Sequence, residues 1–209
     1  CDIAASLQRV TEEAGLDMLG FLHRATGERR LCLAGGVELN SVMNGRFLRE
    51  GPFEDIFIQP AANDAGCALG AALHVYYAIA GGRTRRPVDH VYLGPAWSDA
   101  ALRRALDQAG LRYARVENLP QRCARALADG RIVGWFQGRM EAGPRALGNR
   151  SILADPRRAD MKDILNRRVK HRESFRPYAP AVLLERSGEW FDSGRPSPFM
   201  LLVYNVLQG

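Results

Sequence analysis

The part of this sequence best suited to chemistry contains three arginines among glycines, with an asparagine and a serine at its end. Arg139, Arg145 and Arg150 lie within residues 138–151, together with Asn149 and Ser151. Small residues let backbone N–H groups approach a ligand, and each guanidinium can bind two oxygens at once. The stretch therefore predicts a phosphate site, in which the arginines stabilise the charge that develops as a phosphate leaves.

The charge distribution supports a defined anionic ligand. Residues 138–176 contain nine arginines and two lysines against five carboxylates, a surplus of six that equals the net charge of +6 of the whole chain. A positive charge concentrated among Gly, Pro and Asn favours a polyanionic small molecule over a nucleic acid or a membrane. The alternative is an ordinary solvated basic face, although Gly-Pro turns interrupt any helical face here.

Further cations follow the first stretch, whereas other catalytic patterns are missing from the sequence. Lys170, Arg172 and Arg176 extend the predicted anion site, and His171 lies between two of them. The four histidines form no H-x-x-x-H pair, and no G-x-S-x-G motif is present. The four cysteines are widely spaced, which favours reduced thiols over a disulfide framework or a zinc site.

The elements that must position these residues have the pattern of an α/β protein. A buried strand over 132–136 leads into the arginine stretch, and helices are predicted over 98–108, 120–128 and 160–169. Further strands are predicted over 181–184 and 199–206. Gly and Pro bracket a polar run at 81–87, so we expect a domain boundary between residues 81 and 97.

The first eighty residues predict a parallel sheet with a second candidate site. A helix over 2–25 precedes buried strands at 31–34 and 56–58, with helices over 38–49 and 67–80. Ligands bind at the carboxyl ends of such strands, where Gly35, Gly36 and Asp64 fall. The residues alone leave alternatives open, since the glycines can form a plain tight turn and Asp64 can cap the next helix.

Several motifs closely resemble those of the nodulation-factor and antibiotic O-carbamoyltransferases. The carboxyl-terminal motifs are G-R-M-E-A-G-P-R-A-L-G-N-R-S-I-L at 138–153 and F-R-P-Y-A-P at 175–180. The amino-terminal motifs are L-A-G-G-V-E-L-N-S-V-M-N-G-R at 33–46 and Q-P-A-A-N-D-A-G-C-A-L-G-A-A at 59–72. The resemblance covers nearly the whole chain.

The resemblance implies two domains with different tasks. Residues 1–82 would be the end of an actin-like, ribonuclease-H-like transfer domain, and 83–97 a linker. Residues 98–209 would be a twisted mixed-sheet α+β domain similar to threonylcarbamoyl-adenylate synthase. The second domain would form carbamoyl-adenylate from carbamoyl phosphate and ATP, and the first would pass the carbamoyl group to a substrate hydroxyl.

The resemblance also assigns roles to single residues. Arg139, Arg145 and Arg150 would be catalytic. The nucleotide- and substrate-binding residues would be Gly35, Gly36, Asn40, Asn149, Ser151, Lys170, Arg172 and Arg176. Asp64 would bind a divalent metal, iron or magnesium. The family's histidine pair for that metal has no counterpart in this sequence. The resemblance also implies that the last strands of the second domain are missing, so we expect a fragment that binds nucleotide or phosphate without completing transfer.

Other interpretations of the sequence stay open. A carbamoyl-adenylate module for tRNA modification or hydrogenase maturation is the enzymatic alternative, and a non-catalytic RNA-binding module is the alternative from another class. Few aromatic residues accompany the basic stretch, which argues against RNA. We expect a cytoplasmic protein whose partners are small molecules, with no membrane partner; the sequence is compatible with a homodimer and leaves the oligomeric state open.

Overall fold

The computed structural model of the protein describes residues 1–207, in two compact units. Unit 1 contains Cys1–Val91, Gly143–Arg145 and Leu183–Gly209, and unit 2 contains Tyr92–Ala142 and Ala146–Val182. The last two residues of the predicted second domain, 208 and 209, lie outside the described residues. The architecture is mixed α/β, with helices around two small sheets.

Six α-helices and four strands make up the regular structure of residues 1–207. The helices are α1 (Asp2–Thr26), α2 (Ser41–Glu50), α3 (Cys67–His74), α4 (Asp99–Gln108), α5 (Leu119–Ala128) and α6 (Met161–Leu165). The strands are β1 (Arg30–Leu33), β2 (Asp55–Ile58), β3 (Val133–Phe136) and β4 (Arg150–Leu153). Short 3₁₀-helices span Gly36–Leu39, Asp64–Gly66 and Leu184–Glu189, and π-helical turns extend α3 and α6 over Val75–Ile79 and Asn166–Lys170.

The core of unit 1 lies between its helices and one face of the β1–β2 pair. The strands are parallel, as the sequence pattern predicted, and their register pairs Leu31 with Ile56. Leu31 belongs to a buried cluster with Leu19 of α1 and Phe47 of α2. Phe57 lies on the other face and is 41% exposed. The prediction of buried strands is therefore confirmed for one face of the pair and wrong for the other, because only one face is covered among the described residues.

Helix α2 begins three residues later than the sequence pattern suggested. The Asn40 side chain accepts a hydrogen bond from the Met43 N–H, which caps the helix at its first turn. The preceding residues form a separate 3₁₀-helix, Gly36–Leu39. The cap thus divides the predicted continuous helix into two elements.

The carboxyl-terminal segment of the chain passes directly over α2 within unit 1. Asn44 has no solvent exposure, and its side-chain Nδ2 donates to the Leu201 carbonyl at 3.0 Å. A Cβ atom added at Gly45 would lie 2.5 Å from the Val203 carbonyl oxygen. Only glycine therefore permits this approach of the two backbones.

Unit 2 contains a β-hairpin whose connection is the arginine-rich stretch. Strands β3 and β4 are antiparallel, with Phe136 paired to Arg150. Residues 137–149 therefore form the long loop of the hairpin, and the sequence pattern had not predicted β4. The β3 strand is also less buried than expected, since the Phe136 side chain is 52% exposed.

Two predicted strands are absent from the described residues. Residues 181–183 form irregular chain that leads into the 3₁₀-helix beginning at Leu184, and residues 199–206 contribute only a single bridge, Phe191 with Val206. Both predictions were wrong, because an apolar run forms a strand only beside a partner strand. In the described part of the chain, no helix combines the length and apolar character needed to cross a bilayer.

Candidate anion-binding site

The loop 137–149, which belongs to unit 2 except for Gly143–Arg145, is organised around the carboxylate of Glu141. Its Oε1 atom accepts hydrogen bonds from three backbone N–H groups, those of Leu147 at 3.1 Å, Asn149 at 2.8 Å and Arg150 at 3.0 Å. One acceptor therefore joins the beginning of the loop to its end. These hydrogen bonds fix the backbone at Arg150, the first residue of β4.

The protonation of Glu141 is set by two opposing effects. Burial raises the pKa of the carboxyl, but hydrogen bonds from the backbone N–H groups of Asn149, Arg150 and Leu147 favour the charged form. The net result is a pKa below the ordinary value of a glutamate. Glu141 is consequently an anion at neutral pH, the form that accepts these backbone hydrogen bonds.

Arg139 is held by backbone carbonyls of the segment that begins unit 2. Its Nε donates to the Gly94 carbonyl and its Nη2 to the Leu93 carbonyl, both at 2.8 Å. A guanidinium carries five N–H groups, so two such bonds leave it able to donate further. Arg139 is exposed and fixed in orientation, which suits it to bind an anion without a large loss of side-chain entropy.

Arg150 is fixed by carbonyls and by aromatic rings. Its Nη1 donates to the carbonyls of Gln137 at 2.6 Å and Asn149 at 2.9 Å. The guanidinium carbon lies 3.5 Å from the ring centre of Phe136 and 5.7 Å from that of Trp97. Cation–π contacts of this kind stabilise a guanidinium while leaving its charge intact.

The Asn149 and Ser151 side chains, predicted to bind substrate, bind the loop itself. The Asn149 Nδ2 donates to the Arg139 carbonyl at 2.7 Å, and the Ser151 hydroxyl accepts from the Gly148 N–H at 2.9 Å. Asn149 is 8% exposed. These two side chains shape the loop, so any contact with a ligand would come in addition to this role.

Two of the second group of predicted cations, Arg172 and Arg176, border an open depression of about 470 Å³ in unit 2. His171, Arg172, Glu173 and Arg176 line it. The Arg172 Nε donates to the Asn166 side chain at 2.8 Å, and its guanidinium carbon lies 4.6 Å from the ring centre of Tyr178. Arg176 pairs with Glu173 at 2.9 Å. Lys170 is exposed at the end of the π-helical turn.

Asn166 is the residue that holds this second group in place. It is 1% exposed, and its Nδ2 donates to the carbonyls of Ser174 at 3.3 Å and Arg176 at 3.0 Å. The same side chain accepts from Arg172. One buried amide therefore fixes the backbone and the first cation of the depression.

Arg145 lies in the predicted motif but belongs to unit 1. Its Nη2 donates to the Leu39 carbonyl at 2.9 Å. Arg139 and Arg150 belong to unit 2, so the three arginines predicted as one catalytic group are divided between the units. Their catalytic roles stay predictions.

The predicted residues of unit 1 lie where the parallel strands end. Gly35 has a φ of 130° and donates its N–H to the Ala62 carbonyl, so the Gly35-Gly36 turn and the loop after β2 lie side by side. Asn40 caps α2 and exchanges hydrogen bonds with Gln8 at 2.8 and 3.2 Å. A nucleotide contact by Asn40 would therefore compete with existing bonds.

Asp64 opens a 3₁₀-helix and is exposed. The cap positions of the two helices here are Asn63 and Gly66, so the alternative that Asp64 caps a helix was wrong. Within residues 1–207, no three or more His, Cys, Asp or Glu side chains are grouped to hold a metal ion. These residues do not make a complete metal site, and metal binding by Asp64 stays a prediction.

Sequence reasoning missed the residues that organise these sites. In the sequence, Glu141 counts only as one negative charge in a basic stretch, and Asn166 is one residue of the predicted helix over 160–169. A single acid among Gly, Pro and Arg is a usable signal, because a turn-rich loop has many backbone N–H groups that need an acceptor.

Comparison with known proteins assigns both halves of the chain to one family. Residues 1–73 match the family model described as carbamoyltransferase N-terminus, and residues 124–209 match the model described as carbamoyltransferase C-terminus. The chain is 48% identical to Nodulation protein NolNO of Sinorhizobium fredii and 47% identical to Nodulation protein NolO of Bradyrhizobium diazoefficiens. The chain belongs to the carbamoyltransferase family.

These relatives are much longer than the chain. Both alignments cover 98% of the chain, but only 31% of NolNO and 38% of NolO. An uncharacterized protein of Synechocystis, sll1178, is 49% identical over 98% of the chain and 35% of its own length. The chain thus spans about a third of the length of the curated relatives it matches. Within the carbamoyltransferase models, the 137–149 loop falls in the C-terminal match, and the Gly35-Gly36 turn in the N-terminal match.

Proposed function

We propose that the polypeptide carrying this chain is an ATP-dependent O-carbamoyltransferase. Unit 2 would form carbamoyl-adenylate, with a fold similar to threonylcarbamoyl-adenylate synthase. Unit 1 would be the end of an actin-like domain that transfers the carbamoyl group to a hydroxyl. The observation that carries the proposal is the match of both halves to the two carbamoyltransferase models.

The geometry of unit 2 supports an activation step there. Arg139 and Arg150 are oriented by carbonyls around a loop whose own carboxylate, Glu141, accepts hydrogen bonds from three backbone N–H groups. The guanidinium groups of Arg139 and Arg150 therefore provide fixed positive charge, because Glu141 does not neutralise them through an ion pair. Fixed cations of this kind stabilise charge that develops in a phosphoryl-transfer transition state.

The proposed chemistry has two stages. Water cleaves carbamoyl phosphate to carbamate and phosphate, and a carbamate oxygen attacks the α-phosphorus of ATP, which breaks the bond to the β-phosphate and releases pyrophosphate. A substrate hydroxyl then attacks the carbamoyl carbon, loses its proton and displaces AMP. The first stage produces the most negative charge, and we assign it to the unit that contains the predicted phosphate-binding arginines.

Individual residues have roles in this proposal. Arg139 and Arg150 bind the phosphates of ATP, Arg172 and Arg176 provide further cations around the depression of unit 2, and Lys170 adds a charge next to His171. Gly35 and Gly36 bind nucleotide in unit 1. Asp64 provides one ligand to a divalent metal, iron or magnesium, whose other ligands lie elsewhere in the full polypeptide. ATP and carbamoyl phosphate are cytoplasmic metabolites, so we place the protein there.

The test is product formation with a panel of hydroxyl acceptors. The full natural polypeptide is incubated with ATP, carbamoyl phosphate and sugars, aminoglycosides or lipo-oligosaccharides, and carbamoylated product is detected by mass spectrometry as a gain of one carbamoyl group. We expect product only when both ATP and carbamoyl phosphate are present. The 209-residue chain alone should give none, and robust product from it would contradict the division of the two stages.

A further inference from the structure

Three segments of unit 1 meet at the carboxyl ends of β1 and β2. The Gly35 N–H donates to the Ala62 carbonyl at 2.8 Å, and the Arg145 Nη2 donates to the Leu39 carbonyl at 2.9 Å. A Cβ atom added at Gly143 would lie 3.3 Å from the Pro60 carbonyl oxygen. Residues 35–40, 60–63 and 143–145 therefore lie against one another.

Each segment contributes one buried side-chain atom that is left without a hydrogen bond. These atoms are Glu38 Oε2, Asn63 Oδ1 and Arg145 Nε, and none has a hydrogen-bond partner within residues 1–207. Buried polar atoms are nearly always hydrogen-bonded, because an unsatisfied one destabilises the fold. Three such atoms in adjoining loops indicate a ligand that completes them.

The three atoms do not satisfy one another. Glu38 Oε2 and Arg145 Nε carry opposite charge, yet each is unpartnered in the described part of the chain. Arg145 is held instead by the Leu39 carbonyl, and the Glu38 backbone is held by the Asn44 Nδ2, which donates to its carbonyl at 2.8 Å. Asn44 Oδ1 and the Tyr204 hydroxyl are also unpartnered, but they lie on α2 and the carboxyl-terminal segment.

The chemistry of the three atoms specifies their ligand. Glu38 Oε2 and Asn63 Oδ1 accept hydrogen bonds, and Arg145 Nε donates one. A carbamoyl group has the complementary set, with two N–H donors on its amide nitrogen and one carbonyl acceptor. A phosphate or carboxylate offers acceptors only and would be repelled by Glu38.

We propose that Glu38, Asn63 and Arg145 form the receptor for the carbamoyl group of the donor in unit 1. Glu38 and Asn63 accept from the amide nitrogen, and Arg145 donates to the carbonyl oxygen. The inference rests on the proposed function, and it names the residues that distinguish carbamoyl from other acyl groups. It also assigns Arg145, which lies in the C-terminal family match, to positioning the carbamoyl group rather than to phosphate binding.

The test compares ligands in which a methyl group replaces the amide nitrogen. The full natural polypeptide is titrated calorimetrically with 5′-O-carbamoyladenosine and with 5′-O-acetyladenosine. A second pair, carbamoyl phosphate and acetyl phosphate, distinguishes a nucleotide-borne carbamoyl group from carbamoyl phosphate itself. We expect the wild type to prefer the carbamoyl member of at least one pair about tenfold, because the acetyl group leaves two acceptors unsatisfied.

Variants of Glu38 and Arg145 distinguish recognition of the carbamoyl group from a purely structural role of these residues. Glu38→Leu should reduce the preference to about one, while Glu38→Gln, which keeps an acceptor oxygen, should retain part of it. Arg145→Lys should weaken both members of a pair about tenfold and leave their ratio unchanged. Glu28→Leu and Arg24→Lys are matched controls at exposed positions of unit 1, and thermal unfolding of each variant checks that it is folded.

The outcomes are distinct from those of the proposed function. Equal binding of both members of each pair, binding of none of the probes, or a preference that survives Glu38→Leu would overturn the receptor and leave the three atoms to bound water. A preference that Glu38→Leu removes, in a protein that forms no carbamoylated product, would support the receptor and contradict the transferase activity.

Discussion

The Glu141 carboxylate shows how a single acid serves a cationic site. It lies among arginines, but its Oε1 accepts from backbone N–H groups at both ends of the turn that leads into β4. The guanidinium groups of Arg139 and Arg150 donate to carbonyls instead. The loop is therefore rigid while its positive charge stays available to a ligand.

Removing this acceptor should loosen the loop. Glu141→Ala leaves three N–H groups without their partner, and we expect the free energy of unfolding of unit 2 to fall by about 2–3 kcal/mol. Urea denaturation measures the loss, and amide exchange at Leu147, Asn149 and Arg150 locates it. Glu117→Ala, at an exposed glutamate of the same unit, is the control. Unchanged exchange at those three amides would show that Glu141 does not organise the loop.

The lowered pKa of Glu141 predicts an acid-sensitive loop. Because its pKa is below the unfolded value of about 4.3, the stabilisation is fully present above that pH and is lost as pH falls through the folded pKa. Amide exchange of the Arg150 N–H, followed from pH 6 downward, should accelerate in this window beyond the intrinsic pH dependence. Glu141→Gln should lack the additional step, and an identical profile in that variant would contradict the assignment.

The sequence predicted part of this site. Arg139, Arg150, Asn149 and Ser151 were placed in one region by their spacing, and the structure places all four in unit 2, in or beside the 137–149 loop. The assignment of Arg145 to unit 1, apart from Arg139 and Arg150 in unit 2, could not be predicted. Proximity in sequence does not show that one residue of a motif packs in a different unit. A count of charges likewise shows Glu141 only as one negative charge. It cannot show which N–H groups donate hydrogen bonds to the carboxylate oxygen.

At the level of secondary structure, helix α2 has an asparagine and a glycine where residues 201–203 cross it. Asn44 and Gly45 meet residues 201–203, which lie more than 150 positions away in sequence. A polar, fully buried asparagine and a glycine in a helix interior are each unfavourable for an isolated helix. Their presence is explained by the approach of a second backbone.

A pair of glycine substitutions tests this crossing. Gly45→Ala forces a methyl group against the Val203 carbonyl, and we expect unit 1 to lose about 1–3 kcal/mol and residues 199–206 to become more susceptible to proteolysis. Gly70→Ala in α3 has nothing within 4 Å of the new methyl, so it should stabilise by about 0.5–1 kcal/mol. Urea unfolding compares the two variants, and equal effects would mean that the crossing is not tight.

Local signals predicted some elements and missed others for identifiable reasons. Helix α1 followed from its apolar periodicity and from Gly27, which ends it with a φ of 69°. The parallel β1–β2 pair followed from the alternation of strands and helices. Strand β4 was missed because its first residues, Arg150 and Ser151, are polar. The predicted strands over 181–184 and 199–206 failed because apolar runs do not reveal whether a partner strand exists.

Taken as a whole, the molecule consists of two units, and the C-terminal carbamoyltransferase match, residues 124–209, contributes residues to both of them. Helix α1 has a row of exposed apolar side chains, including Ile3, Leu7 and Phe21 at 88, 67 and 68% exposure. Exposed apolar surface of this extent is unusual for a soluble unit. Full activity is therefore best tested in the full natural polypeptide.

The most direct test of the central claim is carbamoyl-phosphate-dependent exchange of labelled pyrophosphate into ATP by that polypeptide. We predict exchange that requires carbamoyl phosphate and falls at least tenfold in Arg139→Lys, whose shorter ammonium cannot keep both carbonyl bonds and contact a phosphate. Arg112→Lys, at an exposed position of unit 2, should leave the rate unchanged. Absence of exchange, or exchange that Arg139→Lys does not affect, would contradict the assignment of carbamoyl activation to the arginine-rich loop.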